Sequence, residues 1–332
     1  MNTTHDPSLV VLDVGHGNAN IIHENGVTVV VDTGLKGRLL EYLLHRNISQ
    51  IELVILSHSD ADHISGLAGM LSAGISVNAV VLNADADKNS EAWRDLIFVL
   101  DEEHYKNGPK LTVGLADGPL PIPGFKNALL EVAAPTRLLA AFGVGGKDKQ
   151  DRLITSNSLS AVIRVLYNGT PVALLSGDMD EITLDEIISK KINAKALFLV
   201  FPHHGGLPNA ANPTAFASKL MDTVQPQTVI FSLGREKHAN PNAAILETIL
   251  KHTNSVRIGC TQLSKQCSEE IPSATRTFAP ALFSAGWKGS LCCAGTMEIR
   301  LLQPDISEPT KTEHQQFIIE HVPQALCQQR QR

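Results

Sequence analysis

No apolar run in this 332-residue chain approaches the ~20 residues that a membrane-spanning helix needs. The amino terminus, Met-Asn-Thr-Thr-His-Asp-Pro, lacks both the basic and the apolar segment of a secretion signal. A complete, cytoplasmic protein without a membrane partner is the expectation. A basic excess is missing as well: 28 lysines and arginines face 34 aspartates and glutamates, giving a net charge of -6. That balance excludes the broad cationic surface behind non-specific nucleic-acid binding, so any such contact has to be local. Cysteines are few and odd in number, five in all, which excludes a disulfide framework and leaves reduced thiols. Short internal repeats are absent. With 43% hydrophobic and 19% charged residues, disorder is not the default. The length admits two average domains or one large α/β domain.

What the chain does have is concentrated between Leu53 and Gly69. His58, Asp60, Asp62 and His63 fall within six residues, directly after an apolar run short enough to be a buried strand. Imidazoles and carboxylates together suit zinc, manganese or iron, and the open positions such ions keep suit phosphate oxygens. A polar turn capping a helix from Ile64, with Asp62 as the cap, needs one acid rather than two acids and two histidines.

Taken in order, Ser8 to Leu12 reads as a strand, and the glycines of Asp13-Val14-Gly15-His16-Gly17-Asn18 permit a tight turn. Ala19 to His23 and Val27 to Val31 flank Asn25-Gly26, a strong hairpin signal, and deliver Asp32 at a strand end. A helix through about Leu44, the strand Ile51 to Leu56, the metal-competent cluster, a helix from Ile64 to Ser72 and the strand Val77 to Leu82 follow. Next come a helix over Glu91 to His104, strands at Lys110 to Val113 and Leu129 to Ala133, and a Gly-rich stretch, Ala141 to Arg152, that reads as a solvated loop rather than a lid. A second hairpin, around Asn168-Gly169, ends at Ser176-Gly177-Asp178. The run Ala196 to Phe201 ends at Pro202-His203-His204-Gly205-Gly206.

Hairpins followed by helices thus occur twice, each time with reactive residues at strand ends. The order predicts an α/β protein, a four-layer αββα sandwich with its site in a groove along one edge. A disordered tail is expected over 1–7 and a sandwich domain over 8–303, made of a core to 260 and a cysteine-containing extension over 261–303. A polar, fraying tail is expected over 304–332, within which Phe317 to His321 could dock. Cys260, Cys267, Cys292 and Cys293 lack the paired spacing of zinc ribbons and read as buried thiols rather than a zinc site.

One loop cannot satisfy a metal alone. Asp178 and His204 each stand just after a buried strand, from where a rigid sheet can aim them into a shared groove. For a two-metal site Asp178 is the natural bridging carboxylate. His58 and Asp60 are then expected to face one ion, and Asp62, His63 and His204 the other.

The segment His58-Ser-Asp60-Ala-Asp62-His63 resembles the signature of the metallo-β-lactamase superfamily, commonly His-x-His-x-Asp-His, with Asp60 in place of the second histidine. Together with Leu12-Asp-Val-Gly-His-Gly-Asn, Val31-Asp-Thr-Gly, Asn157-Ser-Leu, Ser176-Gly-Asp and Pro202-His-His-Gly, it is similar to the ComEC-type hydrolase domain of DNA uptake and its free-standing relatives. The resemblance covers roughly residues 8 to 260 and implies the αββα sandwich. It places Asp13, His16, Asn18, Asp32, Asn157, His203, Arg235 and Lys237 around the substrate or behind the ligands. Gly15-His16-Gly17-Asn18 departs from the usual Gly-Gln-Gly-Asp, so an acidic role at Asn18 is lost. The histidine that many members supply before the bridging aspartate has no counterpart near Asn157-Ser158. His238, in Gly234-Arg-Glu-Lys-His-Ala-Asn-Pro241, stands in for the histidine of a Gly-His-Pro element as phosphate contact or general acid. Of His203 and His204, the second is the expected ligand.

The leading expectation is hydrolysis of a phosphodiester in DNA or RNA by a metal-activated water, with two divalent ions, zinc or manganese, as cofactors. Asp62 orients the water, and Lys147, Lys149, Arg152, Arg235 and Lys237 guide the strand. The alternatives are a hydrolase of a small nucleotide or other small ester, and a non-catalytic regulatory subunit that needs a protein partner.

Overall fold

The computed structural model describes residues 6–331 apart from 36, 84, 86–89, 107, 254 and 275–282. Residues 1–5 of the expected disordered tail lie outside the described residues. Two sheets form the frame. The first takes β1 (Ser8–Val11), β2 (Asn20–Glu24), β3 (Val27–Val31), β4 (Gln50–Leu56), β5 (Ser76–Leu82), β6 (Lys110–Val113), β14 (Met297–Arg300) and β15 (Asp305–Ile306) in the order β15-β14-β1-β2-β3-β4-β5-β6. The second takes β7 (Gly118–Leu120), β8 (Ala128–Ala134), β9 (Val162–Tyr167), β10 (Thr170–Leu175), β11 (Phe198–Val200), β12 (Thr228–Phe231) and β13 (Arg257–Cys260) in the order β13-β12-β11-β10-β9-β8-β7. Both hairpin signals are realised: Asn25 and Gly26 sit at φ 53° and 77°, Asn168 and Gly169 at 49° and 76°, as the turn that matches strand twist demands.

Strand side chains alternate between faces, and here both faces are apolar. Leu9, Val11, Ile22, Val29, Val31 and Ile55 meet Ile163, Val165, Val172, Leu175, Val200 and Ile230 between the sheets. The intervening Val10, Ile21, Val30 and Val54 point outward, onto α1 (Arg38–His45), α2 (Ala61–Ser72) and α3 (Glu91–His104) through Leu39, Tyr42, Ile64, Met70 and Leu96. After β8 comes the short α4 (Arg137–Phe142), and on the far side Leu174, Leu199 and Val229 pack under α5 (Glu181–Ser189), α6 (Pro213–Val224) and α7 (Ala243–His252). Three apolar interfaces separate four layers, and each fully buried Leu or Ile contributes ~1.5–3 kcal/mol.

The extension and tail are parts of this frame. β14 pairs along β1, Met297 opposite Val11. The segment after Pro304, expected to fray, instead forms α8 (Thr310–His321), whose Phe317 and Ile318 are buried with Val322 and Ala325 against the helix layer of the second sheet. The buried face of this helix is Thr310, His314, Phe317 and Ile318, only two of them apolar, so its composition reads as polar.

Register decides where the site lies. Val11 is opposite Asn20, Asn20 opposite Val31, and Val31 beside Ile55, so Asp13, Asp32 and His58 leave one edge of the first sheet. Leu175 lies beside Val200 and Val200 beside Ile230, which brings Asp178, His203, His204 and Ser232 off one edge of the second. Ala161 N–H donates to Ser57 O at 2.9 Å across the two sheets, so these edges coincide.

Candidate metal centre

The loop after β4 is fixed by Asp32, held at φ 61° at the end of β3. Its carboxylate accepts from Ser57 N–H at 2.7 Å, from Ser57 Oγ–H at 2.8 Å and from His63 Nδ1–H at 2.7 Å. The first turn of α2 is pressed onto the same loop: a methyl group on Gly66 would lie 2.2 Å from Thr33 O. Thr33 N–H in turn donates to His63 O at 2.6 Å. Sequence neighbours thereby become a rigid platform.

His58, His63 and Asp178 form one buried trio whose ligand atoms lie within 4.8 Å of one another. Ser57 spends its only proton on Asp32, so the 3.0 Å contact from His58 Nδ1 to Ser57 Oγ is a donation by His58. That leaves the Nε2 lone pair of His58 facing Asp178 Oδ2 at 3.8 Å and Asp60 Oδ2 at 3.7 Å. His63 Nε2 faces Asp178 Oδ1 at 3.5 Å. Ser160 Oγ lies 3.3 Å from His58 Nδ1 and accepts from Asp178 N–H at 3.0 Å.

His16, Asp62 and His204 form a second, more open trio within the same 4.8 Å limit. Asp62 Oδ2 is 3.3 Å from both His16 Nε2 and His204 Nε2. His204 donates Nδ1–H to Ser232 O at 2.8 Å, which again leaves Nε2 as the free ring nitrogen. His203 and His204 both occupy left-handed backbone, at φ 53° and 54°, a conformation that costs such residues about 1 kcal/mol or more. The glycine-rich turn wraps Asp62 closely: Asn18 N–H donates to Asp62 O at 3.2 Å, and Gly17 at φ 127° passes where a methyl group would lie 2.3 Å from that oxygen.

Asp178 joins the trios. Its Oδ1 is also 3.7 Å from His204 Nε2, and its Oδ2 is 3.7 Å from His203 Nδ1. Burial, then the neighbouring His204, pushes the His16 imidazole down to about 3; burial, then His63, pushes His58 down to about 4. Both are neutral at pH 7, the form that binds metal. Burial opposes the charged form of Asp178 too, but His204 and His63 hold its carboxyl well below the usual range. Burial opposes the charged form of His63, but Asp32 and Asp178 push its imidazole well above the ordinary value, so a cation on Nε2 takes the place of a proton there.

A divalent ion fits this arrangement on chemical grounds. The Nε2 atoms of His58, His63 and His204 are buried without a hydrogen-bond partner. Two ligands bound at ~2.0–2.2 Å in tetrahedral geometry are about 3.3–3.6 Å apart; the nitrogen–carboxylate separations run from 3.3 to 3.8 Å. Each of these imidazoles anchors its other nitrogen on a carboxylate, hydroxyl or carbonyl, as metal-bound histidines do.

Residues 12–179 match the family model described as Metallo-beta-lactamase superfamily. The chain belongs to that superfamily. Recombination protein 2 of Haemophilus influenzae is 25% identical over 254 residues, which cover 74% of this chain and 26% of that protein. The chain thus spans about a quarter of the length of the curated relative it matches. Among solved structures, the metallo-β-lactamase-fold protein YhfI of Bacillus subtilis is similar at 13% identity and a TM-score of 0.48, over 77% of this chain and 97% of that one. Human tRNase Z, short form, is similar at 12% identity and a TM-score of 0.42, over 68% and 92%.

A member of this superfamily with divalent ions would hold them on His58, His63, Asp178, Asp62, His204 and His16. This differs from the sequence-based partition, which set His63 beside Asp62 and left His16 outside the ligands. Consecutive residues on a helix diverge by about 100°, so Asp62 and His63 on α2 face different trios. Asp60 approaches His58 from the solvent side and belongs to neither trio. His238 is exposed, its ring 4.8 Å from that of His16. Asn18 and Asn157 bury an amide oxygen without a partner. Asp13 accepts from Gly15 N–H at 3.0 Å, Gln262 Nε2–H at 2.9 Å and Gly286 N–H at 2.9 Å, and so ties the glycine turn to the extension.

Arg235, expected at the substrate, is buried, and its guanidinium donates to the carbonyls of Leu263, Ser268 and Glu269. Lys147 is paired with Asp151, and Arg152 with Asp148 and Asp185. Of the cations expected to guide a strand, Lys149 and Lys237 are also exposed, and Lys237 helps to lower the pKa of His16. Three positioning groups escaped the sequence reading: Ser57, Ser160 and Asp85. Asp85 accepts from Ser59 N–H at 2.7 Å and from Ser59 Oγ–H at 2.9 Å, bracing the loop that carries His58. Hydroxyls and a lone acid carry no spacing signal. Cys292 packs against Asp13 and Cys293 against His314; among the described residues the two trios are the only clusters of metal-ligating type.

Proposed function

We propose that the protein is a metal-dependent phosphodiesterase acting on nucleic acid. The observation that carries this reading is one carboxylate, Asp178, set between two trios of imidazole and carboxylate. Divalent ions of the zinc or manganese type, held there, supply Lewis acidity and a water of lowered pKa, about 7 for zinc. The remaining work belongs to the chain. Asp62, with its carboxyl held below the usual range by His204 and His63 despite burial, is an acceptor at pH 7 and orients the attacking water. Asp32 and Ser232 O fix the rings of His63 and His204. His238, exposed beside His16, contacts the phosphate or protonates the leaving oxygen, and Lys237 adds positive potential at the same mouth.

The name of the curated relative, Recombination protein 2, supports a DNA substrate. Five free cysteines fit a cytoplasmic setting. A second reading, a small nucleotide as substrate, is favoured by the ion pairs that occupy Lys147 and Arg152 and by the burial of Arg235. The test is protein loaded with manganese or zinc and offered single-stranded DNA, duplex DNA, RNA and small nucleotides, alongside His58→Ala and Asp178→Ala. Cleavage that survives both substitutions sinks the proposal. A steep fall in binding with salt selects the polymer, and a flat profile selects the small ligand.

A further inference from the structure

Against the loop of Asp13 lies a cavity that the reaction does not use. It measures 340 Å³ and is lined by Arg38, Glu41, Phe283, Trp287 and Lys288, within the range of small-ligand sites, which starts at about 300 Å³. Trp93, the other of the chain's two tryptophans, is 9% exposed inside the core, whereas Trp287 is 38% exposed. Arg38 is held by Glu41 at 2.9 Å. Lys288, the next residue in the chain, is exposed and lines the same cavity.

The cavity shares its scaffold with the metal centre. Ala285 N–H donates to Asp13 O and Gly286 N–H to the Asp13 carboxylate, both at 2.9 Å. The other oxygen of that carboxylate holds Gly15, one residue before His16. On the opposite wall, α1 follows directly from Asp32-Thr33-Gly34, whose aspartate orients His63. Both walls therefore rise from the sheet edge that bears the ligands, one on each loop. Aromatic side chains interleaved with cations are the surface on which single-stranded nucleic acid docks, bases on the rings and phosphates on the charges.

We propose that this cavity is a nucleobase subsite for a single strand whose phosphodiester lies at the metal centre. The inference rests on the phosphodiesterase reading and extends it to the form of the substrate. A paired base cannot enter without leaving its stack, so single strands bind better than duplexes. Deoxy and ribo strands both satisfy the chemistry, and parallel oligonucleotides of each sort them.

The experiment measures binding in EDTA, where turnover is absent, by anisotropy of a fluorescein-labelled ten-residue oligonucleotide and by quenching of Trp287 in the intact chain. The expected result is quenching on binding, affinity about tenfold weaker in Trp287→Ala, partial recovery in Trp287→Phe, weakening in Lys288→Glu and no change in Phe98→Ala. Wild-type affinity in both Trp287→Ala and Lys288→Glu, or binding without quenching, overturns the subsite. Hydrolysis of bis(p-nitrophenyl) phosphate by the manganese-loaded wild type reports on the catalytic reading alone. Turnover of that diester without strand binding removes the subsite and leaves the hydrolase. Quenching by the strand without turnover of any diester supports the subsite and removes the hydrolase.

Discussion

The two trios use the same chemistry, two imidazoles and a carboxylate, in opposite settings. His58, His63 and Asp178 are 1%, 0% and 7% exposed and are braced from rigid strand ends. His16 and Asp62 are half-buried, and their approach depends on a glycine turn that folds over α2. The closed trio is therefore preorganised, while the open trio lies nearer the surface. An ion in the first is expected to be structural in its permanence, and an ion in the second exchangeable.

Asp178→Ala should break the comparison most completely, because both trios lose their shared neighbour. Metal content should fall at both positions, with turnover reduced at least about a thousandfold, read by elemental analysis and kcat. His16→Ala should separate the trios instead: one ion lost per chain and the other kept, seen in the same analysis. If both ions leave, the trios are not independent. Asp32→Asn acts on the closed trio alone and should weaken its affinity about 10–100-fold by competition with a chelator.

Smaller effects test the scaffold. Gly17→Ala places a methyl group 2.3 Å from Asp62 O at φ 127° and should cost about 1–3 kcal/mol of stability. Gly26→Ala, at φ 77° in open space, should cost about 1 kcal/mol and spare metal binding. Far from both trios, Glu24 accepts from the N–H groups of Lys126, Asn127 and Ala128. Burial alone would raise its pKa, but these bonds hold it below the ordinary value. The stabilisation is thus present above the unfolded pKa of 4.5 and is lost as pH falls through the lower folded value. Glu24→Gln should cost about 1–3 kcal/mol at pH 7, and the difference from wild type should shrink in acid melts.

Much of this was legible in one dimension. Short apolar runs on either side of the Asn-Gly pairs marked both hairpins, and an acid-and-imidazole run after an apolar strand marked the centre. Local chemistry repeats at fixed intervals, so spacing reports it. The assignment of His16 was not legible, because a turn forty-odd residues before Asp62 reveals nothing of which carboxylate it will meet. Nor was the fate of Arg235, whose charge suggested a phosphate although its partners are three carbonyls. After Pro304 the polar composition pointed to fraying, whereas Phe317 and Ile318, in the stretch that could dock, are buried with Val322 and Ala325.

By itself, then, the sequence determined the strands, the turn types, the layer order and the kinds of atom that a cation would meet. Tertiary structure alone decided how those atoms divide: Asp62 and His63 part company on a helix turn, and His16 arrives from another strand end. The reason is range. Periodicity records which way a side chain points from its own backbone, whereas coordination depends on distances between backbones that only the packed sheets set.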